Sequence, residues 1–252
     1  MATASKMGIG VLSAFVVVTT SGNTRATTAI AVRTPSYVLF AVDGREVWRT
    51  DQVVTKSDNV CKIGNEGSVY WMATGSMQWN DSGTNYDVRE TIKRYIGDAT
   101  GPIGVRIRSF GATVRDSLFF DVPYLATRRP LTLKRLIGEN DALEIMFATF
   151  EGGRPILYMV TFRILVDPIT SKYLVQRSES DDAPWAIGGF HEAISDTWRS
   201  SPDDIRAQPQ FLRKMIETEI AANPADVGLP IAILEIKRNG PHWISKGACT
   251  EK

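Results

Sequence analysis

Three blocks of strand-like runs, set apart by two pairs of helix-period segments, restrict this chain to folds that cover sheets with helices. TTAIAVR and YVLFAVD form the first block, with Thr34-Pro35-Ser36 as the turn signal between them. Further strands are expected over 59–63 and 67–75, divided by a turn at Gly64-Asn65. Val88, Ile92, Tyr95 and Ile96 then share one helix face, and Ile103, Ile107, Phe110, Val114 and Leu118 share another. Gly97 and Gly101-Pro102 separate the two. Strand character returns over 143–150, 155–165 and 185–187, with Gly152-Gly153 as a hairpin turn; RSESDDAP, from Arg177 to Pro184, reads as a solvated acidic loop. A third helix is expected around Phe190, Ala193, Ile194 and Trp198. A fourth carries Leu212, Met215, Ile216 and Ile220, with Pro209 near its first turn. Closing strands over 231–237 and 242–245 flank Asn239-Gly240, a strong hairpin signal. The class is α+β. Two sheets, each covered by a helix pair, would form a four-layer αββα sandwich, and periodicity alone leaves other α+β arrangements open. Residues 27–252 contain no linker-like stretch and read as one domain.

The first 26 residues differ in kind. Lys6 is the only charge before Arg25, 8–18 is uncharged and mostly apolar, and small polar residues then lead to Ala26. This is the order of a secretory signal peptide, with Thr24 and Ala26 at the −3 and −1 positions of a cleavage site before Thr27. The apolar run is far shorter than the roughly 18 residues of a spanning helix, so no stable membrane anchor is expected. A leader cut at Ala26 implies export, to a periplasmic or extracellular space. The alternative is a retained segment folded as a hairpin turning at Ser21-Gly22-Asn23, in a cytoplasmic protein.

Several kinds of chemistry find little support. With 29 basic and 28 acidic residues well mixed, the formal charge is +1, and no basic run forms a phosphate track for nucleic acid. Cys61 and Cys249 are the only cysteines, and one disulfide is open to them in an oxidising compartment. His191 and His242 are the only histidines, and no spacing pattern offers a zinc site, so neither metal nor cofactor is expected. A His-based triad has few candidates for the same reason.

Thr27 needs no histidine. If it becomes the first residue, it carries both a hydroxyl and an α-amine whose ordinary pKa is about 7.7–8.0, close enough to neutrality to act as base. TTAIAVRTPSYVLFAVDGR resembles the opening of proteasome β subunits and of HslV, which are N-terminal-nucleophile (Ntn) hydrolases. The double threonine, the hairpin length and Ala41-Val42-Asp43-Gly44-Arg45 carry the likeness. YWMATGS, WAIGGF and VGLPIAILEIKRNG extend it weakly along the chain. The resemblance implies the αββα sandwich, Thr27 as the catalytic threonine, Asp43 as the organising carboxylate and Arg45 as a neighbouring basic residue. It also implies a backbone oxyanion donor in a turn of Ala73, Thr74 and Gly75.

The chain departs from that pattern in places. Counted without gaps, the family's catalytic lysine falls on Asn59, with Lys56 and Lys62 three positions to either side. In a continuous strand three residues span about 10 Å and change face, so neither replaces the missing ammonium unless a bulge re-aims it. Gly189 stands where the family has a supporting serine, and its late Asp and Ser fall near Pro224 and Val227.

Two functions follow. The first is an exported Ntn peptidase or amidase acting on small peptides or amides through Thr27, with a homo-oligomeric ring implied by the resemblance. The alternative is an inactive proteasome-like binding or assembly module, favoured by the absence of a lysine at Asn59.

Overall fold

The β2–β3 hairpin sets the frame of the fold. β2 (Thr28–Arg33) and β3 (Tyr37–Asp43) pair antiparallel from Arg33–Val38 to Ala29–Val42. Thr34 closes the turn: its Oγ1 accepts from the N–H groups of Ser36 and Tyr37, the local bonding expected of a Ser/Thr turn. The protein is described by a computed structural model over residues 22–23, 27–50, 53–81, 84–138 and 141–249. Apart from Gly22 and Asn23, the proposed leader lies outside these residues.

The chain is mixed α/β with antiparallel sheets. A short strand β1 (Gly22–Asn23) pairs with β4 (Arg45–Thr50), which pairs in turn with β5 (Val53–Asn59). One five-stranded sheet contains β6 (Ile63–Glu66), β7 (Val69–Gly75), β10 (Leu143–Glu151), β11 (Arg154–Val166) and β12 (Tyr173–Ser180). The other, in the order β13-β2-β3-β14-β15, adds β13 (Trp185–Gly189), β14 (Ile231–Lys237) and β15 (Gly240–Ser245). β8 (Gln78–Asp81) and β9 (Thr84–Asp87) form a separate hairpin leading to α1 (Val88–Ile92), a π-helical turn over Lys93–Asp98, α2 (Ile103–Arg128) and α3 (Pro130–Gly138). The later helices are α4 (Ser195–Ser200), α5 (Asp203–Arg206) and α6 (Pro209–Ala222).

Strand alternation sorts the apolar residues into three cores. Along β10, Ile145 and Phe147 face Ile107, Phe110, Val114 and Leu118 of α2, whereas Met146 and Ala148 face the other sheet. Along β2, Ala29 and Ala31 join that inter-sheet core, and Ile30 and Val32 pack against Trp198, Leu212 and Ile216 of α4 and α6. β2, β3 and β10 are therefore covered on both faces, which explains their nearly unbroken apolar sequences. An edge-to-face contact between Phe110 and Phe147, 5.5 Å between ring centres, ties α2 to its sheet.

Some segments differ from the sequence expectation. The expected strand over 59–63 is broken: β5 ends at Asn59 and β6 starts at Ile63. Gly64-Asn65 is not a turn but lies within β6, and the chain reverses at Gly67, in left-handed backbone with φ +58°. Gly64 is instead required by Trp71, whose indole would lie 2.3 Å from a Cβ at that position. Arg177 to Ser180, expected in a loop, belongs to the exposed edge strand β12. Phe190 and Ala193 precede α4 rather than belonging to it. α2 continues ten residues past Leu118 to Arg128. Among the described residues no helix is long and apolar enough to cross a membrane.

Cys61 and Cys249 form a disulfide that closes a 188-residue separation and ties the segment after β15 to the inter-sheet core. Loops of this length constrain the unfolded chain strongly. Replacing both cysteines by serine should cost about 2–5 kcal/mol, read as a lower urea midpoint, and a reducing agent should reproduce the loss in the wild-type protein.

Candidate active site

Thr27, Asp43 and Lys62 meet at the end of the β2–β3 hairpin. The hairpin register, with Ala29 opposite Val42, brings Thr28 to the level of Asp43, and its N–H donates to Asp43 Oδ1 at 2.9 Å. Lys62 arrives from the break between β5 and β6. The N–H of Val60 donates to Gly44 O at 2.8 Å, Cys61 is held by its disulfide, and Lys62 is thereby turned inward. Its Nζ donates to Thr27 Oγ1 at 2.6 Å and to the two Asp43 oxygens at 3.0 and 3.1 Å. Both charged side chains are excluded from solvent, with exposures of 1% for Lys62 and 0% for Asp43.

Asp43 is held on every side. Beyond Lys62 and Thr28, its Oδ2 accepts from the N–H groups of Arg45 at 3.1 Å and Gly228 at 3.2 Å. Burial pushes its pKa up; the Lys62 charge and the N–H groups of Thr28 and Gly228 oppose that rise. This is how a buried carboxylate is retained: paired and fully hydrogen-bonded.

Of the residues expected at the site, Thr27 and Asp43 are brought together. Asn59 is not the source of the ammonium. It is exposed at the end of β5, paired in register with Arg45, and Lys62 occupies the position beside the threonine instead. The Arg45 side chain is turned away from Asp43: Nη1 donates to Pro224 O, and the guanidinium lies over Gly228, where a Cβ would come within 2.4 Å of Nε. Arg45 thus fixes the loop after α6, and that loop supplies the Gly228 N–H to Asp43.

Gly189 holds the other side of Thr27. A Cβ there would lie 1.7 Å from Thr27 O, and its φ of +74° also favours glycine, so no serine side chain fits. The following N–H, of Phe190, donates to Thr27 O at 2.9 Å, and Thr28 Oγ1 donates to Phe190 O at 2.8 Å. Together these bonds fix the backbone of both threonines.

The expected turn at Ala73, Thr74 and Gly75 is the end of β7. Bonded and non-bonded pairs alternate in an antiparallel ladder. Ser76 N–H donates to Ala142 O at 3.0 Å, so Thr74, opposite Glu144, falls on a bonded pair and spends its N–H on β10. Gly75, with φ +87°, is the next, non-bonded position, whose N–H in a regular ladder turns to the edge of β7 away from β10. Of the two candidate donors, Gly75 is the one whose N–H this ladder parity does not commit to β10.

Among the described residues no group of three or more His, Cys, Asp or Glu side chains is placed to hold a metal. His191 is half-buried, with Nδ1 2.7 Å from Gly189 O, and His242 is exposed beside Glu235. No protein-family model matches the chain, and the comparison with curated proteins finds no match.

Proposed function

We propose that this chain is a proteasome-like Ntn hydrolase that cleaves peptide or small amide bonds through Thr27, once Thr27 is the first residue. The reading rests above all on Lys62 Nζ lying 2.6 Å from Thr27 Oγ1 while bound to a buried Asp43. A fixed ammonium beside a hydroxyl favours its alkoxide form, which a threonine nucleophile requires. Three apolar cores separating helices, sheet, sheet and helices are also what an αββα sandwich needs.

In this mechanism Thr27 Oγ1 attacks the substrate carbonyl and its proton passes to the α-amine. The developing oxyanion is met by the Gly75 N–H, a type of donor worth about 2.7–4 kcal/mol in the transition state. The C–N bond then breaks as the α-ammonium returns the proton to the leaving amine. Water, deprotonated by the same amine, hydrolyses the ester on Thr27 and restores the hydroxyl. Lys62 stabilises oxygen charge at each stage, and Asp43 keeps Lys62 aimed.

The competing reading, an inactive binding or assembly module, drew on the lack of a cation at Asn59; Lys62 weakens that ground. The Cys61–Cys249 disulfide favours export, since such bonds persist in oxidising compartments. Outside the cell membrane no ATP-driven unfoldase can feed the site, which favours small substrates.

The test is intact mass and N-terminal sequencing of protein made in an export-competent host, followed by a threonine-directed electrophile. The expected chain begins at Thr27 and takes up one equivalent of label, which Thr27→Ala abolishes. A chain in which Ala26 remains amide-bonded to Thr27 has no terminal base, and that result overturns the reading.

A further inference from the structure

Glu144 is a buried carboxyl that the mechanism above does not use. Met146 and Ala148, which follow it on the same face of β10, lie in the inter-sheet core, so Glu144 occupies a place where an apolar side chain would continue the row. It is 6% exposed. Its Oε2 accepts from Thr74 Oγ1 at 2.9 Å and from Gly189 N–H at 2.6 Å. Gly188 leaves room for it, since a Cβ there would lie 2.9 Å from the same oxygen.

These two bonds join the two halves of the site. Thr74 immediately precedes Gly75, whose N–H is the oxyanion donor. Gly189 immediately precedes Phe190, whose N–H and C=O hold Thr27 and Thr28. One carboxyl oxygen therefore connects a strand of one sheet to the end of a strand of the other, with the nucleophile on one side and the donor on the other. His191 grips the same segment from beyond, through Nδ1 and Gly189 O.

We infer that Glu144 is a positioning residue of the Thr27 site, bracing the Gly75 donor against the segment that fixes the nucleophile's backbone. The inference rests on the Thr27 reading above. Burial is the main cause that pushes the Glu144 pKa up to about 7, with the Gly189 N–H opposing it. Asp141, on the segment leading into β10, raises it further, and the Thr74 hydroxyl and His191 lower it. Asp141 is itself paired with Arg163 of β11, and the residue opposite Glu144 on β11 is the uncharged Thr161. Ionisation makes both Oε2 bonds charge-assisted and so tightens the brace as pH rises through about 7.

Labelling of the mature protein and amide hydrogen exchange, measured on the same variants, separate the cases. Glu144→Ala should lower the labelling rate about tenfold to a hundredfold, as a loosened attack geometry does. It should also raise exchange at Phe190 about tenfold, by freeing local opening. Glu144→Gln keeps an oxygen for both bonds, so it should label within about threefold of wild type at pH 8 while losing the rate step near pH 7, leaving only the α-amine's step. Exchange at Phe190 unchanged in Glu144→Ala overturns the brace. Faster exchange with undiminished labelling overturns the positioning role, as does a Glu144→Gln profile identical to wild type. If wild-type protein never labels, the Thr27 reading itself has failed and the positioning role fails with it, whereas wild-type labelling that ignores Glu144→Ala sinks this inference alone.

Discussion

Lys62→Met should lower Thr27-dependent labelling by about 10²–10⁴, the usual loss when a positioned proton-transfer or charge-stabilising group is removed. Methionine approximates the length of the side chain and removes its charge, and with it the bonds from Nζ to Thr27 Oγ1 and to the two Asp43 oxygens. The variant should also be less stable by about 3–5 kcal/mol near neutral pH, because a buried carboxylate loses its counter-ion. The pH dependence has a definite sign. Burial already raises the Asp43 pKa above 3.8, and the Lys62 charge is the foremost opposing cause, so its removal raises that pKa further. A carboxyl with a raised folded-state pKa contributes its stability in acid and loses it as pH climbs through that pKa. The deficit of Lys62→Met should therefore shrink toward pH 4 and grow toward neutrality, read from urea midpoints across that range. A deficit independent of pH would mean that Asp43 does not depend on Lys62.

Asp43→Asn is expected to damage both stability and labelling. The amide is nearly isosteric, yet it turns an acceptor of donors from Lys62, Thr28, Arg45 and Gly228 into a group that must itself present N–H. The buried Lys62 ammonium would lose the Asp43 carboxylate that it pairs with, and removing one partner of a buried pair costs about 3–5 kcal/mol. Labelling should fall by about an order of magnitude or more, since the two Asp43 bonds that aim Lys62 Nζ are then lost. Asp43→Asn combined with Lys62→Met should be less unstable than the sum of the two, because each single variant strands the other's charge. Strict additivity in a double-mutant cycle would show the pair to be uncoupled and would remove Asp43 from the mechanism.

Much of the fold was legible because it follows from local periodicity. Ile107, Phe110, Val114 and Leu118 mark the buried stripe of α2, and the alternation along YVLFAVD separates its two faces. The errors lie where a residue type has two uses. Gly64 reads as a turn residue, but its lack of a side chain serves Trp71. Arg177 to Ser180 read as part of a loop, yet an exposed edge strand tolerates the same polar residues, as β12 does.

The site divides along the same line. Thr27 and Asp43, linked in the sequence by the resemblance, are related through one hairpin, so their nearness follows from local chain geometry. Lys62 is not, because counting assumes a continuous strand and the chain leaves that geometry between Asn59 and Ile63. One signal was present: a single lysine between Cys61 and Ile63, a charged residue in apolar company. What the sequence determined by itself is the coarse order of elements and the hairpin that brings Thr27 and Asp43 near each other, since both depend on residues close in the chain. Only the tertiary structure decided which lysine faces Thr27, how the ladder parity falls at the end of β7 and where Glu144 points. Each of these depends on a strand break, a ladder parity or an inter-sheet contact made between residues far apart in sequence.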